Sequence, residues 1–467
     1  MSRSGELTKK TLIITIGRVS TQFFTFLLLP LYTAFLSTEE YGTVDLITTL
    51  VQLFIPAVSL MIDQSVFRFL LNCDDEDGRK KTISSAFFIL AGLSGVTGAV
   101  YLLAAIFISS PYKIWVVLIL LTTAFSNLFL QAVRGLNQTG DYALGGFICS
   151  ASTIALNVLC IAFLKMGAVG MLMATFAGNL ICCIFVFFKL KIYKYISFSS
   201  IDKKLEIEEL KYSIPLVPNQ LSLWVMNSSD RLIVTFILGV AANGILAVSH
   251  KFPAIYMTFF NFFQLAWHES GAIYYFDEDR DEFFSDMLEK VCSIFSSLCL
   301  GIIVVLPLVF RWFVNPAYHE AYYIIPIYLV ASLFNVVVGF LGVVYVATKN
   351  TVEIAKTTII AAILNIIVNF ALIKFMGLYA ASISTFVGHL VTMIYRMIDT
   401  KKYLKIKYNV KQYVLISMTL AVCSVIYYME NKVVSLLFLP AFIAVALWIN
   451  RALLKEVIAY GRKRIGK

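Results

Sequence analysis

The stretch LNVLCIAFLKMGAVGMLMATFAGNL at 156–180 has a second version in LNIIVNFALIKFMGLYAASISTFVGHL at 364–390. Leu156-Asn157 matches Leu364-Asn365, Lys165 matches Lys374, and TFAGNL at 175–180 matches TFVGHL at 385–390. Upstream, NQTG at 137–140 stands where KNTV stands at 349–352. Each version is two apolar stretches broken near a glycine, so each reads as a helical hairpin. The shared Asn, Lys and Gly positions argue for duplication rather than two unrelated apolar runs.

The rest of the chain makes those hairpins membrane spans. Apolar residues fill 60% of 467 positions and charged residues 14%, against about 45–50% and 25% in soluble domains. Mean hydropathy is +0.83. A soluble fold must present a polar skin, and lipid removes that demand. A span needs about 20 mainly apolar residues. Fourteen stretches qualify: 11–36, 43–67, 82–108, 114–133, 143–164, 169–188, 213–238, 242–265, 288–310, 322–346, 356–373, 377–396, 412–428 and 433–450. The paired hairpins are the fifth and sixth spans and the eleventh and twelfth. A displacement of six spans is even, so both copies face the same way. The expected fold is an all-α polytopic membrane protein. Two parallel six-helix lobes, 1–196 and 197–400, enclose a central cavity. Two further helices and a basic tail occupy 401–467.

Basic residues set the orientation. With the N-terminus in the cytoplasm, 30 Lys and Arg fall in cytoplasmic segments, 5 in external ones and 3 in spans. That asymmetry is a positive-inside signal and places both termini in the cytoplasm. It also accounts for the net charge of +10 without nucleic acid, because the basic loops are short and hug the membrane edge. The opening MSRSGELTKK is polar, and the apolar stretch after it carries Arg18 and no small-x-small cleavage site. The first helix is therefore expected to stay in the protein. The eight cysteines show no metal spacing and read as packing residues. The acidic run DEDRDE at 277–282 reads as a solvated loop.

Ionisable groups inside a bilayer are costly and mark pathways or partners. Arg18, Arg231 and Lys251 are the candidate cavity cations. Asp230, His250 and Asp63 are candidate charge partners or coupling groups. One arrangement pairs Asp230 with Lys251 and leaves Arg231 facing the cavity; the other makes both pairs structural locks. Arg68 and Arg134 are candidates for a cytoplasmic gate, the latter in RGLNQTGD, which lacks the spacing of a phosphate loop. Pro215 and Pro218 are hinge candidates. Asp45, at the outer end of the first hairpin, reads as a local cap or bridge.

GRVSTQFFTFLLLPLYTAFLSTEEYGTVDL at 17–46, RGLNQTGDY at 134–142 and LKMGAVGMLMATFAGNL at 164–180 resemble the polysaccharide biosynthesis exporter family. These are Wzx-type flippases of the multidrug/oligosaccharidyl-lipid/polysaccharide superfamily. The resemblance covers essentially the whole chain and is specific for the family rather than the cargo. It implies translocation of undecaprenyl-diphosphate-linked oligosaccharides from inner to outer leaflet of a bacterial plasma membrane, by alternating access. Arg18 would then face the anionic diphosphate, with Arg231 and Lys251 in the same role. Polysaccharide polymerase and glycosyltransferases of the same pathway would be partners. No cofactor is expected, and no ATP-binding motif is present, so H+, Na+ or the membrane potential is left to couple transport. The rivals are an ion-coupled multidrug or cation antiporter, a lipid II flippase, and a membrane polymerase or glycosyltransferase. The interior cations outnumber the acids, which disfavours the first. The short external loops leave no room for a catalytic domain, which disfavours the last.

Overall fold

The computed structural model describes residues 26–456 apart from 74, 108 and 452. Every regular element among them is helical. The order is α1 (Leu29–Phe35), α2 (Thr38–Ser59), α3 (Ile62–Leu70), α4 (Glu76–Ala104), α5 (Lys113–Gly135), α6 (Thr139–Asn157) and α7 (Gly167–Ile184). It continues with α8 (Lys203–Ser213), α9 (Leu216–Leu238), α10 (Val240–Tyr274), α11 (Arg280–Phe313) and α12 (Glu320–Ala347). The last four are α13 (Thr351–Met376), α14 (Tyr379–Asp399), α15 (Val410–Tyr428) and α16 (Lys432–Ile449).

Twelve helices among the described residues are long and apolar enough to cross a membrane. Two expected spans are not among them. The first, 11–36, lies mostly outside the described residues. The eighth is helical as part of α10, whose Asn243, His250 and Lys251 dilute its apolar character. The chain is a multi-pass membrane protein.

The expected span 43–67 is not one helix. It breaks at Leu60 and Met61, both left-handed, with φ of 46° and 56°. Pro56 precedes the break; without an N–H it cannot donate to the carbonyl four residues back, which loosens the last turns of α2. Ser59 Oγ accepts from Met61 N at 3.2 Å across the break. A second break separates α8 from α9 at Ile214 and Pro215. Pro215 and Pro218 sit at the start of α9, where the missing N–H groups would have had no helical acceptor.

The acidic run is half loop and half helix: residues 277–279 lie in an exposed turn, and residues 280–282 open α11. At 34 residues α11 is about 51 Å long, against about 30 Å of hydrocarbon. Its polar first turns project beyond the membrane and hold the segment before α15. Lys405 N donates to Asp281 Oδ1 at 3.1 Å, and Asn409 Nδ2 to Glu289 Oε1 at 3.1 Å. Further along, Tyr322 of α12 and Tyr427 of α15 stack at 4.1 Å. Each hydroxyl donates to the other's carbonyl, at 2.9 and 2.6 Å. Contacts divide the chain into two units, 1–235 with 239–244 and 236–238 with 245–467.

The duplication is visible in backbone detail. Asn137 and Lys349 are both left-handed, with φ of 63° and 57°. Gln138 N donates to Val133 O, and Asn350 N to Tyr345 O, each skipping a helical register. Gly167 and Gly377 both turn their hairpins with positive φ, 58° and 56°. These turns correct the alignment read from sequence. Matching turn to turn pairs Gly145 with Thr357, Thr153 with Asn365 and Asn157 with Asn369, all within α6 and α13. The Leu-Asn match is therefore one helical turn out of register, because apolar helices resemble themselves at four-residue steps. Between Asn157 and Gly167 the first copy then has two residues more than the second, in the stretch that holds the π segment Val158–Phe163, which the second copy lacks.

Candidate functional site

The densest polar cluster involving the expected site residues lies in the first unit, where α2, α9 and the start of α10 meet. Ser37 and Glu40 start α2 with a reciprocal cap, fixing the helix's first turn. One turn in, Gly42 lets α10 approach backbone to backbone. A Cβ on Gly42 would lie 2.0 Å from Val240 O, and one on Gly244 only 1.9 Å from Thr38 O. Asp45 follows Gly42 on the same face, and Thr49 follows Asp45.

Asp45 uses both carboxylate oxygens. Arg231 Nη1 donates to Oδ1 at 2.8 Å. Asn243 Nδ2 donates to Oδ2 at 3.2 Å and to Gly42 O at 3.1 Å. Arg231 Nη1 also reaches Thr49 Oγ1 at 3.4 Å. Trp224, two turns before Arg231, donates its Nε1–H to Thr49 O at 3.1 Å. The Asp45 and Arg231 side chains are only 12% and 22% exposed, so water screens the pair weakly. Charge-assisted bonds of this kind contribute about 1.5–3 kcal/mol each. Chemically the cluster is a latch: three helices meet on one carboxylate, and each tie can be made or broken without covalent change.

The other expected residues are distributed as follows. Arg18 lies outside the described residues. Asp230 is buried, and its Oδ1 accepts from Arg231 N at 2.9 Å. Lys251 is half-buried on α10. The His250 ring lies 4.4 Å from that of Tyr328. Asp63 and Arg68 do not pair with each other. Asp63 is buried and accepts from Gln64 Nε2 at 2.6 Å, while Arg68 Nη1 donates to Asn72 at 3.1 Å. Arg134 lies over the Phe67 ring at 4.2 Å and reaches Gln131 at 3.4 Å, so it ties α5 to α3. Among the described residues no group of three or more His, Cys, Asp or Glu is placed to hold a metal.

Sequence reasoning gave Asp45 only a local role and passed over Asn243. The available signal was glycine placement, since Gly42 stands three residues before Asp45 and Gly244 directly follows Asn243. It also counted Arg396 as one more basic residue at a membrane edge. The structure buries Arg396 to 5% exposure within the second unit. Its Nη1 donates to Val338 O at 2.8 Å, and its Nη2 and Nε donate to Thr357 Oγ1 at 2.8 and 3.3 Å.

These helices assemble the fold of MOP-superfamily transporters. The chain is similar to the lipid II flippase MurJ in an inward closed conformation, at 16% identity and a TM-score of 0.71, over 96% of this chain and 100% of that one. It is also similar to a multidrug resistance MATE family transporter in an inward-facing conformation, at 14% identity and a TM-score of 0.69, over 83% of this chain and 98% of that one. A third likeness is to a MOP-superfamily transporter from Pyrococcus furiosus described by the reverse polarity of its binding pocket. Identity there is 14% and the TM-score 0.57, over 85% of this chain and 94% of that one. No curated protein matches the sequence. Residues 7–267 match the model of the polysaccharide biosynthesis protein family, and the chain belongs to that family.

Proposed function

We propose that the protein is a flippase. It carries undecaprenyl-diphosphate-linked oligosaccharide repeat units from the inner to the outer leaflet of a bacterial plasma membrane, with both termini in the cytoplasm. The observation that carries this reading is the Arg231–Asp45–Asn243 latch in a chain of the polysaccharide biosynthesis family. The positive-inside pattern assigns that latch to the outer side. Alternating access requires such a closure, made in one state and released in the other.

The cargo gives the latch a second role. A lipid-linked diphosphate carries negative charge that hydrocarbon excludes. Arg231, held here by Asp45, is released as the latch opens and then joins Arg18 and Lys251 in holding the diphosphate. The prenyl tail stays in lipid, so no covalent step is needed and no enzymatic activity is assigned. H+, Na+ or the membrane potential drives the cycle. Polymerase and glycosyltransferases consume and supply the repeat unit.

The test is flipping of a defined polyprenyl-diphosphate oligosaccharide in proteoliposomes. Arg18→Ala is expected to reduce the rate more than tenfold, and Asp45→Asn about tenfold, in line with one lost charge-assisted bond. Transport of a small organic cation with no movement of any polyprenyl-diphosphate sugar overturns the proposal in favour of an antiporter. Preference for lipid II over other cargo sharpens it to that substrate.

A further inference from the structure

Helix α8 carries a carboxylate that the transport reading does not use. Six of its 11 residues are charged, which keeps it out of hydrocarbon; the apolar stretch begins after Ser213. Asp202 caps it, accepting from Lys204 N at 2.9 Å. Lys203, Lys204, Glu208 and Lys211 are exposed. Glu209 is not: its exposure is 0%.

Among the described residues nothing compensates that burial. Neither Glu209 carboxylate oxygen has a hydrogen-bond partner. Ser213, one turn on and on the same face, is also fully buried with its hydroxyl unpartnered. So is Ser65 on α3. Helix α8 packs against α3 and α4, and the Phe69 and Tyr212 rings meet at 6.1 Å. The charged groups of those helices are engaged elsewhere. On α3, Asp63 bonds Gln64 and Arg68 bonds Asn72. On α4, Lys80 pairs with Glu76, Lys81 with Asp77, and Arg79 donates to Cys73 O. Among the described residues no cation pairs with Glu209. The charge that acts on it within α8 is another acid, Glu206. An ionised carboxylate in such a place costs several kcal/mol, whereas the neutral acid adds a donor to its acceptors.

We propose that Glu209 is a proton-binding site: its protonated form holds α8 against α3 and α4, and its ionisation releases the helix. Burial, with Glu206 adding to it, pushes the carboxyl up to about 9 from an ordinary 4.5. The sign follows. The docked helix binds the proton more tightly than the released one, so docking is strongest below the ordinary value. It weakens as pH rises towards about 9 and levels off beyond. Helix α8 leads through the break at Pro215 into α9, which carries Arg231. Proton release therefore frees the inner end of the element whose outer part holds the latch. That consequence rests on the flippase reading; the proton site itself does not.

The test is hydrogen exchange of segment 203–213 in the full-length protein in lipid nanodiscs, read against α4 in the same molecule. Between the two pKa values the protection ratio is expected to fall about tenfold per pH unit, and to stay flat in Glu209→Gln. A constant ratio in the wild type overturns the proposal, whether or not the variant folds. So does a parallel fall in wild type and Glu209→Gln. Flipping is scored separately: loss of lipid transport with the pH-linked exchange intact sinks the flippase reading and leaves the proton site standing.

Discussion

The hairpins α6–α7 and α13–α14 begin and turn alike, yet their final turns are built from opposite chemistry. In the second copy Arg396 reaches Thr357 and Val338 O, with the Tyr345 ring 5.7 Å away. Asp399 accepts from Tyr345 Oη at 2.9 Å. In the first copy the matching positions are Val186 for Arg396, Gly145 for Thr357, Val133 for Tyr345 and Lys189 for Asp399. A Cβ on Gly145 would lie 3.4 Å from Val186 Cγ2 and 2.8 Å from Leu130 Cδ2. Leu130 corresponds to Gly342, and a Cβ on Gly342 would lie 2.8 Å from the Arg396 guanidinium. One copy fills the space with leucine and valine; the other vacates it with glycine and inserts a guanidinium. Between helices that share an apolar solvent, hydrogen bonds and close packing are alternative means of association. The duplicated halves have each taken one.

The comparison is most exposed at Arg396. Its removal by Arg396→Val strips three hydrogen bonds and leaves a buried carbonyl and hydroxyl without their partner. The expected loss is about 3–5 kcal/mol, read as a large fall in thermal midpoint by tryptophan fluorescence in detergent. Transplanting the first copy's solution, with Gly342→Leu, Thr357→Gly and Tyr345→Val added, is expected to recover much of that loss. Well-packed apolar replacements often match a buried polar network. A quadruple variant no more stable than Arg396→Val breaks the equivalence of the two ends.

Matched glycines give a smaller, differential effect. Gly178 of α7 and Gly388 of α14 occupy the same place, but the facing helix is closer in the first copy. A Cβ on Gly178 would lie 1.9 Å from Thr153 Oγ1 and 3.1 Å from Cys149 O, whereas one on Gly388 would lie 3.3 Å from Ala361 O. The second copy is instead bridged by Asn365, which donates to Ser384 and Thr385 at 3.3 and 3.2 Å. Gly178→Ala is expected to cost about 2 kcal/mol through overpacking, and Gly388→Ala well under half of that. Equal losses in chemical denaturation would mean that the hairpins are held alike.

How far the sequence alone leads follows from the same residues. Hydropathy and the basic asymmetry suffice for many spans, because they depend on composition over whole helices. The duplication was legible through Gly178 and Gly388, since glycine tolerates few alternatives at a close crossing. Its register was not: Asn365 looked like the partner of Asn157 because a four-residue shift preserves an apolar helix face. The break at Leu60 and Met61 was equally hidden, as neither residue favours positive φ. Arg231 and Asp230 were found because charge inside a span is conspicuous. Asp45 was not given its role, because 186 residues separate it from Arg231 and only folding brings them together. Arg396 was hidden by its position near a span end, where a basic residue needs no further explanation.

The corrected register makes a last, smaller prediction. Asn157 and Asn369 are true counterparts and both are buried, at 3% and 0% exposure. Among the described residues neither the Asn369 side-chain nitrogen nor its oxygen has a hydrogen-bond partner, and the Asn157 carbonyl oxygen lacks one too. A buried unpaired amide costs about 1–3 kcal/mol, and leucine matches asparagine closely in volume. Asn369→Leu is therefore expected to stabilise the protein by about 1 kcal/mol. Asn157→Leu should do so by less, because only its oxygen is both fully buried and unpartnered. Asn365→Leu, one turn away, should instead destabilise by about 1 kcal/mol, since it removes the bridge to Ser384 and Thr385. Thermal midpoints of the three variants measured side by side test the register directly. If Asn365→Leu stabilises and Asn369→Leu destabilises, the sequence alignment was right and the turn-to-turn correspondence is wrong.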